Sequence, residues 1–176
     1  MSRANSLLLV SLLLLTACSP ASYACTDPLG CLEIPPNAPF LVGVLTTFSG
    51  PYAEAGTAML ASIESAMEES GDLAGHKIEL VWEEADCSED SARIGATRLA
   101  LTPNLVAVIG PSCPAAAPYA RPILADAGLP LLAPHPNGGA AFRRLAEAIQ
   151  NIAIQQPDGT IILPRTALQQ ALETHP

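Results

Sequence analysis

The sequence predicts an α/β fold built as a three-layer parallel sheet. Three observations carry that reading. Apolar runs of strand length recur four times between residues 40 and 133, and helix signals separate them. The first of them, Phe40–Leu45, is continuously apolar instead of alternating, as in strands covered on both faces. No proline falls between Pro51 and Pro103, so regular structure can continue there without interruption.

The elements follow in order. Phe40-Leu-Val-Gly-Val-Leu45 reads as the first strand of the sheet. After Ser49-Gly50-Pro51 a helix extends to about Ser70, with Met59, Ile63, Ala66 and Met67 at helical spacing and Gly71 placed to stop it. Gly75-His76 turns the chain into a second strand, Lys77–Glu83. Ser88 is a candidate N-cap for the next helix, with Glu89 and Asp90 in the first turn where the helix dipole favours acids. Leu105–Ile109 is the third strand, Pro114–Ala127 a helix stopped by Gly128, and Leu129–Ala133 the fourth strand. Right-handed crossovers between such units make the sheet parallel, and ligands of such sheets bind beyond the strands' carboxyl ends. Those ends are residues 46–52, 84–88, 110–115 and 134–138. Past Gly138-Gly139 the character changes. Ala140–Ile154 is an amphipathic helix presenting Phe142, Leu145, Ala146, Ile149 and Ile152, Thr160–Leu163 a short extended piece, and Thr166–Thr174 a last helix.

The chain has 176 residues and a formal net charge of −9, with 17 acids against 8 Lys and Arg. That balance disfavours a nucleic-acid partner, which needs clustered bases to displace counterions. Eleven of the acids lie between Glu54 and Asp90, opposed there by Lys77 alone. A solvated surface accounts for them more simply than a cation site at Asp86, Glu89 and Asp90, which lacks the glycine and glutamate of an EF-hand loop.

Residues 7–17, LLLVSLLLLTA, follow Arg3 and are too few to span a bilayer, which takes about 20 apolar residues. They have the form of an export signal, and Leu15-Thr16-Ala17-Cys18 resembles the bacterial lipobox, which makes Cys18 the expected lipidation site. The expected organisation is a signal peptide at 1–17, a Pro-rich tether at 18–39 with five prolines, a ligand-binding lobe at 40–137 and a C-terminal helical segment at 138–176. Export places the remaining cysteines in an oxidising compartment. Cys25, Cys31, Cys87 and Cys113 permit three pairings. The favoured one joins Cys25 to Cys31 around a Pro-Leu-Gly turn, and Cys87 to Cys113, each of which follows a strand. A zinc site is less favoured, since CxxC spacing is absent and His76, His135 and His175 are scattered. No metal or cofactor is expected, and His76 and His175 read as surface residues.

Catalytic signals are weak. There is no P-loop and no GxGxxG after a strand. Gly110-Pro-Ser112-Cys-Pro114 has proline where a nucleophile elbow has glycine. Ser112, His135 and Asp86 can be drawn as a triad, but all three sit on loops at one predicted sheet edge, where proximity needs no catalysis. No catalytic residue is assigned.

Leu41-Val-Gly-Val-Leu-Thr-Thr-Phe-Ser-Gly-Pro-Tyr-Ala-Glu-Ala-Gly56 resembles the opening strand and loop of type 1 periplasmic binding proteins, the leucine/isoleucine/valine-binding group of ABC transporters. The resemblance continues through Gly75–Leu80, Glu84–Cys87, Val106–Cys113 and Ala127–Pro134, covering about residues 40–137. It implies a Rossmann-like lobe, a disulfide between Cys87 and Cys113, and no enzymatic activity. It implies as partners a small solute such as a branched-chain amino acid, a membrane permease, and the membrane through the lipid anchor alone. The expected location is the outer face of the cell membrane or the periplasm. Positions matching the family's ligand loops are Ser49, Tyr52, Ala55, Ser112, Pro114, Ala115, His135, Pro136 and Asn137.

The chain departs from the family's pattern in two ways. The family has two lobes that close on a ligand, and this chain has sequence for one; Ala141–Glu173 resembles the family's C-terminal end, so the second lobe is largely missing. The ligand loops also carry fewer hydroxyls, with Pro114-Ala115-Ala116 and His135-Pro136-Asn137 at positions that hold the ligand's charged groups, and Ala55 where an aromatic often stacks. Weak amino-acid binding is therefore expected, because an unmet ligand charge costs a few kcal/mol. The rival reading is a membrane-tethered interaction module built on one lobe, with an exported hydrolase third.

Overall fold

The computed structural model describes residues 23–133 and 137–173. Two sheets are present among them. The larger contains β2 (Phe40–Thr46), β3 (Ile78–Glu84), β4 (Leu105–Ile109) and β5 (Leu131–Leu132), in the order β3-β2-β4-β5 and parallel throughout. The helices are α1 (Ala53–Ser70), α2 (Glu89–Ala100), α3 (Ala117–Asp126), α4 (Gly138–Ile152) and α5 (Arg165–Glu173). No helix among the described residues is long and apolar enough to cross a membrane.

β2 and β4 are buried on both faces, whereas the edge strand β3 is only half-buried. On one face Phe40, Val42 and Val44 pack with Met59 and Ile63 of α1 and Phe142, Leu145 and Ile149 of α4. On the other, Leu45, Leu105 and Val108 pack with Ala96 and Leu99 of α2 and Ala120 and Leu124 of α3. The α/β three-layer architecture is thus as the sequence predicts.

Local chemistry sets the boundaries. Ser88 caps α2, its Oγ accepting the Ser91 N–H at 3.3 Å. β5 is shorter than expected, because the Leu129 N–H turns back to the Leu124 carbonyl at 2.9 Å and Pro130 has no N–H to give. α4 starts two residues earlier than expected. Gly138 and Gly139 lie so close to α1 that a Cβ on Gly139 would stand 2.4 Å from the Ser62 carbonyl oxygen. The two glycines therefore continue the helix instead of breaking it.

The expected tether needs correction. Residues 31–34 form β1 (Cys31–Ile34), which pairs antiparallel with β7 (Ile161–Pro164); β7 also pairs with β6 (Ile154–Gln155). Leu32 and Ile34 reach the main core. The segment before them is tied down as well. The Tyr23 N–H donates to Gln156 Oε1 at 2.9 Å, and Asp27 accepts from both the N–H and the hydroxyl of Thr166 at the start of α5. The 138–176 segment is likewise no separate helical unit, since α4 belongs to the core and β6 and β7 form a sheet with β1.

His76 is a second correction. It is 5% exposed, with Nδ1 2.7 Å from the Ala38 carbonyl oxygen and Nε2 3.3 Å from that of Gly159. Its ring stands 5.6 Å from Phe40. A turn position conceals this, because both carbonyls come from distant segments.

Candidate functional site

The strand order locates the site. From β2 the chain moves to β3 on one side, then crosses to β4 on the other, so the order reverses between β2 and β4. The following helices, α1 and α3, pack on opposite faces. A crevice at such a switch point, beyond the carboxyl ends, is where open α/β sheets take ligands.

Hydroxyl groups lace that edge together. The Thr47 N–H donates to Ser112 Oγ at 2.9 Å, and the Ser112 hydroxyl donates to Thr47 Oγ1 at 3.1 Å. The Thr47 hydroxyl passes its own proton to the Ala85 carbonyl at 2.7 Å, while that of Thr46 donates to the Gly56 carbonyl at 3.2 Å. Both threonines are fully buried, so each bond removes a desolvation penalty that an unpaired hydroxyl would carry. The Cys87–Cys113 disulfide joins the loops after β3 and β4, and a second links Cys25 to Cys31.

Close backbone approach completes the edge. A Cβ on Gly56 would lie 1.9 Å from the Thr47 carbonyl oxygen, and one on Gly110 2.2 Å from that of Leu45. Gly110, at φ +136°, also needs a backbone that only glycine adopts easily.

An acidic rim borders this network. The Glu84 carboxylate accepts the Phe48 N–H at 3.1 Å and the Ser49 hydroxyl at 3.1 Å. Asp86 Oδ1 accepts the hydroxyl of Ser88 at 2.5 Å and its N–H at 2.8 Å. The Ser88 hydroxyl, and then its N–H, hold the Asp86 carboxyl below the ordinary carboxylate range. Phe48 and Trp82 meet edge to face at 5.0 Å, both exposed.

The expected ligand residues fall into three groups. Ser49, Tyr52 and Ala55 lie on the loop after β2 and the first turn of α1; Ser112, Pro114 and Ala115 lie on the loop after β4. Hydrogen bonds between Thr47 and Ser112 bring these two groups to one edge. Tyr52, Ala55, Pro114 and Ala115 are exposed there. Asn137 is occupied otherwise, its side-chain oxygen capping α4 through the Ala140 N–H at 3.3 Å. His135, Pro136 and Cys18 lie outside the described residues. Thr46, Thr47 and Glu84 were not singled out by sequence, though a threonine pair closing an apolar strand was a usable signal. Ser112 and Asp86 share no hydrogen-bond partner: Ser112 is bound to the threonines, and Asp86 to Ser88 and Ser91. Among the described residues no His, Cys, Asp and Glu side chains converge as a metal site.

Residues 39–149 match the family model described as periplasmic binding protein. The chain belongs to the periplasmic binding protein family. The switch-point edge of this binding-protein lobe comes entirely from the matched span. Solved structures agree in fold. An ABC transporter substrate-binding protein from Sphaerobacter thermophilus is 26% identical with a TM-score of 0.50, the match covering 53% of this chain and 25% of that one. A leucine-binding protein from Thermotoga maritima is 20% identical with a TM-score of 0.50, covering 62% of this chain and 36% of that one. The matched part is thus well under half of either of these two chains. Among curated proteins none matches this chain.

Proposed function

We propose that this periplasmic binding protein is a non-catalytic solute-binding lipoprotein of an ABC transporter. It takes a branched-chain or related amino acid at the carboxyl edge of β2 and β4, for delivery to a membrane permease, and is held outside the cytoplasm by lipid on Cys18. The observation carrying this reading is the switch-point edge fastened by Thr47, Ser112 and the Cys87–Cys113 disulfide, within a family of binding proteins. The S. thermophilus relative, named as a transporter's substrate-binding protein, supports it.

Affinity is weak in this reading. Pro114 and Ala115 bring no side-chain hydrogen bond to a zwitterion, and the Ser112 hydroxyl is engaged with Thr47. Isothermal titration of the full chain with leucine, isoleucine and valine tests it. The expected dissociation constant is on the order of 1 mM or weaker, with a rise in Tm at saturating ligand. Micromolar affinity would overturn the weak-binding reading, and no Tm shift at any concentration would overturn amino-acid binding. Cys18→Ser is expected to move the protein from the membrane fraction to the soluble one.

A second reading, a tethered interaction module, draws on the aromatic rim. Phe48, Tyr52 and Trp82 are 38%, 47% and 58% exposed, an unusual concentration where only 4% of residues are aromatic. Light scattering at increasing protein concentration tests self-association through that rim, and Trp82→Ser is expected to abolish it.

A further inference from the structure

A large cavity lies alongside β5. Its volume is about 1050 Å³, and its walls come from β5, the end of α3, and α4 and α5. That is at the upper limit of small-ligand sites, which run to about 1,000 Å³.

Two properties of its walls specify an occupant. The first is an open strand edge. Among the described residues β5 is the last strand of its sheet. Val108 pairs with Leu131 in a register where the Val108 N–H bonds the Pro130 carbonyl at 2.9 Å and the Gly110 N–H bonds that of Leu132 at 3.0 Å. In a parallel ladder this turns the N–H and C=O of Leu131 away from β4, and Leu131 lines the cavity.

The second is charge. Arg121, Arg144 and Arg165 line the cavity against Asp126 and Glu173, an excess of positive charge on a chain of net −9. The other arginines among the described residues, Arg93, Arg98 and Arg143, are paired with glutamates at 2.9, 3.1 and 3.3 Å. The three cavity arginines form no such ion pair among the described residues. Arg165 donates to the Gly128 carbonyl and Arg144 to that of Leu172. Arg144 Nε is buried without an acceptor. The Asp27 carboxylate also faces the Arg165 charge, whereas Arg121 and Arg144 form no ion pair with a carboxylate among the described residues, and a carboxylate is the acceptor that guanidinium forks bind best.

We propose that this cavity is a second binding site, for an extended peptide segment bearing a carboxylate. The segment adds to the sheet as a strand beside β5 through the Leu131 N–H and C=O, and its carboxylate is held by Arg121 and Arg144. The sequence of such a peptide is read little, because main-chain bonds supply the contact along the edge.

Fluorescence anisotropy with the full chain tests this. The probe is a labelled pentapeptide, Val-Thr-Val-Thr-Glu, with a free terminal carboxylate. Saturable binding is expected, weakened at least about tenfold when the peptide is amidated and its glutamate replaced by glutamine. Arg121→Gln is expected to weaken it similarly; Arg121 is exposed, so this change spares the core. Leu131→Pro removes the outward N–H while leaving the bonds to β4, and is expected to abolish binding. Circular dichroism checks both variants, and the amidated peptide needs no variant. The proposal is overturned if the peptide does not bind, if the neutral peptide binds equally well, or if neither substitution weakens binding. Succinate binding as tightly as the peptide would replace the strand site with a small-anion pocket. A chain dimer abolished by Leu131→Pro would replace the peptide with a second copy.

Discussion

The Thr47 N–H donates to Ser112 Oγ at 2.9 Å, and the Ser112 hydroxyl donates back to Thr47 Oγ1 at 3.1 Å. This reciprocal pair joins the ends of β2 and β4 where the strand order reverses. Ser112→Ala leaves the buried Thr47 amide without an acceptor, which costs about 1–3 kcal/mol. Urea unfolding is expected to register that loss, with an unchanged m-value marking it as local.

Gly56→Ala is expected to be at least as damaging. The new methyl would lie 1.9 Å from the Thr47 carbonyl oxygen, which forces α1 away from the end of β2. Overpacking of this kind typically costs about 1–3 kcal/mol, and a lowered Tm would show it. A Tm equal to that of the parent would mean that the first turn of α1 is free to shift.

Reduction should separate the two disulfides by their loop lengths. Cys87–Cys113 closes a separation of 26 residues and Cys25–Cys31 one of 6. The chain-entropy relation gives about 3.5 kcal/mol for the first and about 2 for the second. Paired serine variants, compared in urea, are expected to rank in that order.

Acid should weaken the fold in part through Asp86. Ser88 bonds hold its carboxyl below the ordinary range in the folded chain. A carboxyl whose folded pKa is depressed contributes stability above its unfolded pKa and loses it as pH falls toward the folded one. Unfolding free energy measured between neutral pH and about pH 3 is expected to decline less steeply in Asp86→Asn.

His76→Ala removes the ring whose nitrogens lie against the Ala38 and Gly159 carbonyls, to one of which a neutral imidazole donates at a time. A loss of about 1–3 kcal/mol is expected, read as a lower urea midpoint.

The centre of the sheet was legible because β2 and β4 are buried on both faces. Leu105–Ile109 is delimited by its apolar run alone, and Phe40–Thr46 extends the expected strand by one residue. β1 was illegible for the opposite reason. Four residues between proline-rich stretches give little periodicity, and the β7 partner lies more than a hundred positions later. The burial of His76 was hidden likewise, since neither of its carbonyl partners is near in sequence. At the site, the expected parallel sheet pointed in advance to the loops beyond the strands' carboxyl ends. The threonine–serine lacing was not, because it depends on which side chains interdigitate once the two strand ends are side by side.

The β1–β7 pairing puts folding on a clock. β1 leaves the ribosome early, but it has no strand to pair with until Ile161–Pro164 has followed it. The parallel sheet can begin to assemble once residue 109 is available, with contacts of shorter range than those of β1. Pairings of long sequence separation form slowly, so the first strand made is among the last to dock. During that interval Leu32 and Ile34, which end in the core, remain bare. A chaperone that holds the chain until β7 emerges would shield this stretch from aggregation.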